Sequence, residues 1–197
     1  MGPIFDPSLA GKLVRHEPPF VEDSPRLPYP NFYYALEDLV ASYSPALTFS
    51  VHRSSIIIGA SSRSVYNALL SLAVYAAICK QQRLPFHYPV SWHNNKYGQL
   101  CLIRLRIKRS IAKGFDLVEM MKEKGGVWDE IVEKHGLYKT KLEEITCFDA
   151  LKIAMNFDFQ HVCSMTKSRE FGFHGFADTF KSIRMWVERL RDMKIIP

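Results

Sequence analysis

An α/β fold is what this sequence predicts, and three stretches predict it. Residues 46–59, ALTFSVHRSSIIIG, are dense in β-branched and aromatic side chains with little polar alternation through Ile56, Ile57 and Ile58, the pattern of a strand buried on both faces. Residues 64–81, SVYNALLSLAVYAAICKQ, follow at once as a long apolar helix, which gives the strand-then-helix order of α/β proteins. At the other end, residues 176–193 place Phe180, Ile183, Trp186, Val187 and Leu190 on one helical face, a terminal helix that packs on a core.

The remaining elements can be read in chain order. Residues 2–30 carry Pro3, Pro7, Pro18, Pro19, Pro25, Pro28 and Pro30 with little periodicity, which predicts an extended surface or lid-like loop. Residues 31–43 bring Phe32, Leu36, Leu39 and Val40 to helical spacing, with Asn31 as the cap and Glu37 and Asp38 close behind, so a helix is expected. Residues 90–113 break the style of the chain: CLIRLRIKRSI alternates apolar and basic positions as a half-exposed strand would, yet no turn chemistry leads it into a hairpin. Amphipathic helices are expected over 115–124 and 127–135, separated by Gly125-Gly126, with Gly136 closing the second, and a further helix over 149–157. No internal repeat or low-complexity tract interrupts this order.

Composition bounds the function classes. With 197 residues, 47% apolar and 23% charged, the chain can bury one ordinary core and is not disordered by composition. No apolar run reaches the roughly 18 residues of a membrane span, and MGPIFDPSLAGK lacks the basic-then-apolar order of a secretory signal. A cytoplasmic protein with no membrane partner is expected. The net charge of +6 is local: Lys96, Arg104, Arg106, Lys108, Arg109 and Lys113 stand between Pro89 and Phe115 with no acidic residue, and the rest balances at twenty against twenty. That balance argues against a chain built as a whole for nucleic acid. Cys79, Cys101, Cys147 and Cys163 form no C-x-x-C pair and the seven histidines no H-x-x-x-H pair, so reduced core thiols and no metal site are expected. No glycine lies in a G-x-G-x-x-G turn, and there is no P-loop, H-E-x-x-H or G-x-S-x-G.

What stands out is a set of strings in one order: HEPPFVEDSPRLPYPNFYYALEDL, SVHRSSIIIG, LAVYAAICK, KSREFGFHGF and MKIIP. They resemble the progesterone 5β-reductase and iridoid synthase family over residues 1–89 and 115–197. These are divergent extended short-chain dehydrogenases that reduce enones by NADPH-dependent 1,4-addition of hydride. The resemblance implies a Rossmann-type fold with a parallel sheet and a small helical substrate lobe. The family's N-F-Y-Y-x-x-E-D motif stands here as Asn31-Phe32-Tyr33-Tyr34-Ala35-Leu36-Glu37-Asp38, which makes Tyr33 the implied catalytic tyrosine. Hydride addition at an enone's β-carbon leaves negative charge on the carbonyl oxygen, and a phenol hydroxyl held there stabilises it. The family's R-P-G-x-I-x-G strand stands as Arg53 to Gly59 with Ser54-Ser55 in place of Pro-Gly, and carries over Ile57 and, from the following loop, Ser64 as cofactor contacts.

In the family a lysine cooperates with the tyrosine from a K-H-Y-M-G-P string, and this chain opens on Met1-Gly2-Pro3. The expectation is a remnant that lacks the dinucleotide-binding half and the lysine, does not bind NADPH alone, and is inactive by itself. Its expected parts are residues 1–89 from the rear of the reductase core, 90–113 as an aberrant basic segment, and 114–197 from the substrate lobe. A small enone is the ligand the resemblance implies; alternatives are association with itself or a full-length homologue, or a basic nucleic-acid-binding module. Shifting the reading frame by one base across residues 97–111 permits I-W-A-A-V-S-D-K-A-K-N-Q-A-F-N, a string of the family's style, so residues 90–113 read as out-of-frame translation. Sequencing the transcript across both junctions is expected to show the frame jump; an in-frame basic exon would refute it.

Overall fold

Helix α2, Ala68–Gln82, is apolar all round rather than along one stripe, and a helix of that kind must be surrounded. The computed structural model describes residues 21–27, 30–52, 57–62, 64–87, 115–155 and 163–197, and α2 is the helix its core is built on. Leu70, Ser71, Val74, Tyr75, Ile78 and Cys79 of α2 are buried. Around it pack α4 (Gly125–His135), α6 (Phe148–Met155) and α8 (Thr179–Asp192), while α3 (Leu117–Met121) lies on α6 and α5 (Leu142–Ile145) on α4. Trp128 and Ile131 from α4, Leu151 and Met155 from α6 and Leu190 from α8 close the cluster. Outside it stand α1 (Phe32–Ser42) and α7 (Thr166–Glu170), neither of which buries a residue.

Helix ends follow from local chemistry. Asn67 caps α2: its side-chain oxygen accepts the Leu70 N–H at 3.0 Å, and its amide donates to the Gly59 carbonyl at 2.9 Å. Asp116 caps α3 and Asp178 caps α8 in the same manner, each satisfying amino-terminal N–H groups that have no partner within the helix. Three helices stop alike. Arg83, Gly136 and Lys194 take positive φ angles of 55°, 58° and 54°, and Leu84, Leu137 and Ile195 then donate back to Cys79, Val132 and Leu190. This is the Schellman closure, in which an apolar residue past the stop folds onto the helix; Leu137 and Ile195 are buried accordingly. Tyr138 N–H donates to the Lys194 carbonyl at 2.7 Å, which ties the ends of α4 and α8 together.

The helices expected over 31–43, 64–81, 149–157 and 176–193 are all present, with ends shifted by one to four residues. Three expectations are corrected. The described residues contain no strand longer than an isolated bridge at Cys163. Residues 46–52 and 57–59 of the expected strand are irregular, with Leu47, Phe49, Val51 and Ile57 exposed. A strand buried on both faces needs a neighbour along each edge, and no neighbour stands among the described residues. Gly125-Gly126 is not a break but the first turn of α4, where the N–H groups lack helical partners in any case. Among the described cysteines only Cys79 is buried; Cys147 is half-buried and Cys163 exposed. The expected loop over 2–20, residues 53–56, the segment 90–113 and Cys101 lie outside the described residues.

At the centre of the core Tyr75 is fully buried, with its ring 4.7 Å from Phe86 and 6.4 Å from Phe115. Its hydroxyl both donates to the His87 carbonyl, at 3.0 Å, and accepts the His87 N–H, at 3.1 Å. Burial drives the phenol's pKa above its ordinary value. Since the folded state holds this proton more tightly than the unfolded chain, stability is present below about pH 10, the unfolded value, and is lost as pH rises past it. One of the nine tyrosines is therefore expected to ionise only together with unfolding in an alkaline absorbance titration. Trp128→Ala, which empties the largest fully buried side chain, is expected to cost about 3–5 kcal/mol in urea denaturation.

Candidate functional site

The site grows from the first turn of α1. Asn31, in extended backbone, accepts the Tyr33 N–H on its side-chain oxygen at 3.0 Å, which starts the helix at Phe32 and sets the direction of both tyrosines that follow. Residues 34, 37 and 38 share one helical face by their i, i+3 and i+4 spacing. Arg26, from the preceding loop, lies against that face. Its Nη1 is 2.9 Å from Asp38 Oδ2 and its Nη2 is 2.7 Å from Asp38 Oδ1, a two-pronged pair, with Glu37 Oε2 at 3.3 Å. The guanidinium also sits 4.9 Å from the Tyr34 ring centre, within cation–π range. Next to it the Leu27 N–H donates to the Tyr34 hydroxyl at 2.9 Å.

Tyr33 faces away from this strap. It is 52% exposed, its ring leans on Phe32 at 4.0 Å between centroids, and its hydroxyl makes no hydrogen bond among the described residues. A phenol so placed can donate to a ligand oxygen without first breaking a bond inside the protein. Ile57 is 77% exposed and Ser64 half-buried, and no hydrogen bond joins Ser64 to Tyr33 among the described residues.

A dinucleotide needs backbone N–H groups at a helix amino terminus and glycines that admit its phosphates. At the start of α2 the Asn67 side chain already takes the Leu70 N–H, and the loop before it holds Gly59 alone. Among the described residues, the start of α2 does not fit the phosphates of NADPH. No group of three metal-binding side chains occurs among the described residues, and no helix there is long and apolar enough to cross a membrane.

With that geometry in view, the comparisons with known proteins bear on the motif. The (S)-8-oxocitronellyl enol synthase of Antirrhinum majus is 36% identical, over 92% of this chain and 59% of its own length. The corresponding enzyme of Catharanthus roseus is 34% identical, over 94% and 60%. The 3-oxo-Delta(4,5)-steroid 5-beta-reductase of Arabidopsis thaliana is 32% identical, over 93% and 59%. The chain belongs to the progesterone 5β-reductase and iridoid synthase family. It spans about 60% of the length of these family members. The match to a Camptotheca acuminata member of the family runs over 251 aligned positions, 54 more than the 197 residues of this chain, all of which it covers. Family positions are therefore missing from within the matched stretch. No protein-family model matches the chain.

Arg26 was not among the candidate residues read from the sequence. The only signal for Arg26 was its place in SPRLPYP, a proline-spaced string whose path over α1 no periodicity reveals. A second pair extends the strap: Lys167 Nζ of α7 is 2.8 Å from Asp23 Oδ1. Hydrogen bonds from Arg26 and Lys167 hold Asp38 and Asp23 below the ordinary carboxylate pKa. Both contributions are present above the unfolded value, about 3.9, and are lost as pH falls through the lower folded values. The Leu27 amide resonance is expected to stay unchanged from neutral pH to about pH 4 and to move only below that.

Proposed function

We propose that this chain recognises an enone through Tyr33, and that acting alone it does not reduce one. The phenol hydroxyl donates to the enone's carbonyl oxygen, which withdraws charge from the conjugated bond and would stabilise the enolate once the β-carbon receives a hydride. NADPH is the reductant that family membership suggests, and it supplies hydride where it is bound; the described residues do not seat it. The observation that carries this reading is the exposed, unpaired hydroxyl of Tyr33 at the capped start of α1, inside the family's own motif.

The relatives' names, which carry 8-oxocitronellyl and 3-oxo-Delta(4,5)-steroid skeletons, suggest a small enone without selecting one. A second reading has an observation of its own. Phe32, Leu36 and Leu39 of α1 and Tyr43 at its end are all at least half exposed, a face that suits association with a full-length homologue. Co-purification with such a homologue at fixed stoichiometry would support it.

Two titrations test the main reading. NADPH fluorescence is expected to show no saturable binding to the full chain, and a micromolar dissociation constant would overturn that part. The ultraviolet band of a cyclic enone is expected to shift to longer wavelength on binding. Tyr33→Phe should abolish the shift and weaken affinity by one hydrogen bond, about 1 kcal/mol or roughly fivefold. An enone that binds both chains alike would remove Tyr33 from its proposed role.

A further inference from the structure

Two tyrosines stand side by side at the start of α1, chemically identical and one residue apart, and the structure treats them oppositely. Tyr34 is half-buried under the loop, its ring faced by the Arg26 guanidinium and its hydroxyl oxygen occupied by the Leu27 N–H. Tyr33 is exposed and its hydroxyl is unpaired among the described residues. Helix geometry alone does not produce this difference: successive residues point about 100° apart, and both directions would be open on an uncovered helix. What separates them is the strap, and the strap rests on Arg26.

We infer that Arg26 is a positioning residue that selects Tyr33 over Tyr34 as the ligand-facing phenol. The guanidinium has two planar prongs, which Asp38 accepts at 2.9 and 2.7 Å; that fork fixes its plane as well as its position. So fixed, it holds residues 26 and 27 across the Tyr34 side of α1, and the Leu27 N–H meets the Tyr34 hydroxyl. The second ion pair, Asp23 with Lys167, keeps the loop from swinging off its other end. The Tyr34 hydroxyl accepts the Leu27 N–H and keeps its own proton, but it lies half-buried under the strap, so a carbonyl oxygen approaching the first turn of α1 meets the exposed hydroxyl of Tyr33. Loss of the fork would offer two competing phenols, and a ligand could then bind in two registers.

This inference rests on the reading of Tyr33 as the phenol that meets the ligand, but its test requires no ligand. The full chain is treated with N-acetylimidazole, which acetylates accessible phenol oxygens, and each tyrosine is followed by peptide mass spectrometry. Tyr33 is expected to react at about the rate of Tyr138, which is similarly exposed, and Tyr34 roughly tenfold more slowly, the effect of one well-formed hydrogen bond together with its cover. In Arg26→Ala and in Asp38→Asn the Tyr34 rate should rise to within about twofold of Tyr33, while Arg26→Lys, which has no fork, should restore little protection. Tyr75, buried in the core, reports integrity of the fold and should stay unlabelled throughout. Should a variant expose Tyr75, raised salt on the unaltered chain replaces it, because an exposed ion pair is screened and Tyr34 should then gain reactivity. Equal labelling of both tyrosines in the unaltered chain, or protection of Tyr34 that survives loss of the pair, overturns the selection. An enone titration that fails while labelling behaves as described would sink the proposed function and leave this device standing.

Discussion

Burial of α2 is the constraint on which the described structure depends. A helix with apolar residues on every side cannot sit on a surface, so α4, α6 and α8 are recruited to surround it, and α3 and α5 cover what those leave open. α2, α4 and α8 share one way of ending: the left-handed stops at Arg83, Gly136 and Lys194 turn the chain and return it to the helix just completed. The Tyr75 phenol then deals with the one cost of drawing residue 87 against this core, since it pairs both backbone groups of His87.

α1 obeys different forces. It buries none of its residues, and polar ties hold it: a cap from Asn31, the Arg26 fork and the Tyr34 hydroxyl. Exposed ion pairs of this kind contribute little to global stability, and their effect is on geometry. Tyr75 and Tyr33 show the contrast within one side-chain type. In the core, both hydrogen-bonding roles of the phenol are consumed and burial keeps it protonated; on α1 the phenol is held in direction by its backbone and left with its hydroxyl open.

Much of the helical part was legible because its signals are local. Asn31 before an i, i+4 pattern, Gly136 after one, and the stripe from Phe180 to Leu190 each specify an element without reference to the rest of the chain. Over 46–52 and 57–59 the expected strand is irregular for the converse reason. Ile56-Ile57-Ile58 has the composition of a sheet interior, but composition records a preference for neighbours and cannot supply them. Arg83 and Lys194 carry no signal for positive φ, which non-glycine residues adopt rarely, so two of the three helix stops were invisible. For the site, the motif identified Tyr33, yet the motif's Tyr34, Glu37 and Asp38 turned out to bind Arg26, a long-range pairing that no period encodes.

The chemistry and the packing of α1 point to the same need. A phenol stabilises a developing oxyanion strongly only where water is excluded, because the same hydrogen bond is far weaker at the dielectric of solvent. Tyr33 as described is half in water, and so are Phe32, Leu36 and Leu39 around the same helix. Whatever covers those apolar side chains would also dry the Tyr33 hydroxyl, so that one docking event would serve both. The family members of Camptotheca, Antirrhinum and Catharanthus have positions inside the matched stretch that this chain lacks, as the alignment lengths of 251, 230 and 233 against 197 residues require. The Arg26 strap accordingly covers Tyr34 and leaves the Tyr33 phenol open, and a cover for α1 would take that hydroxyl out of water.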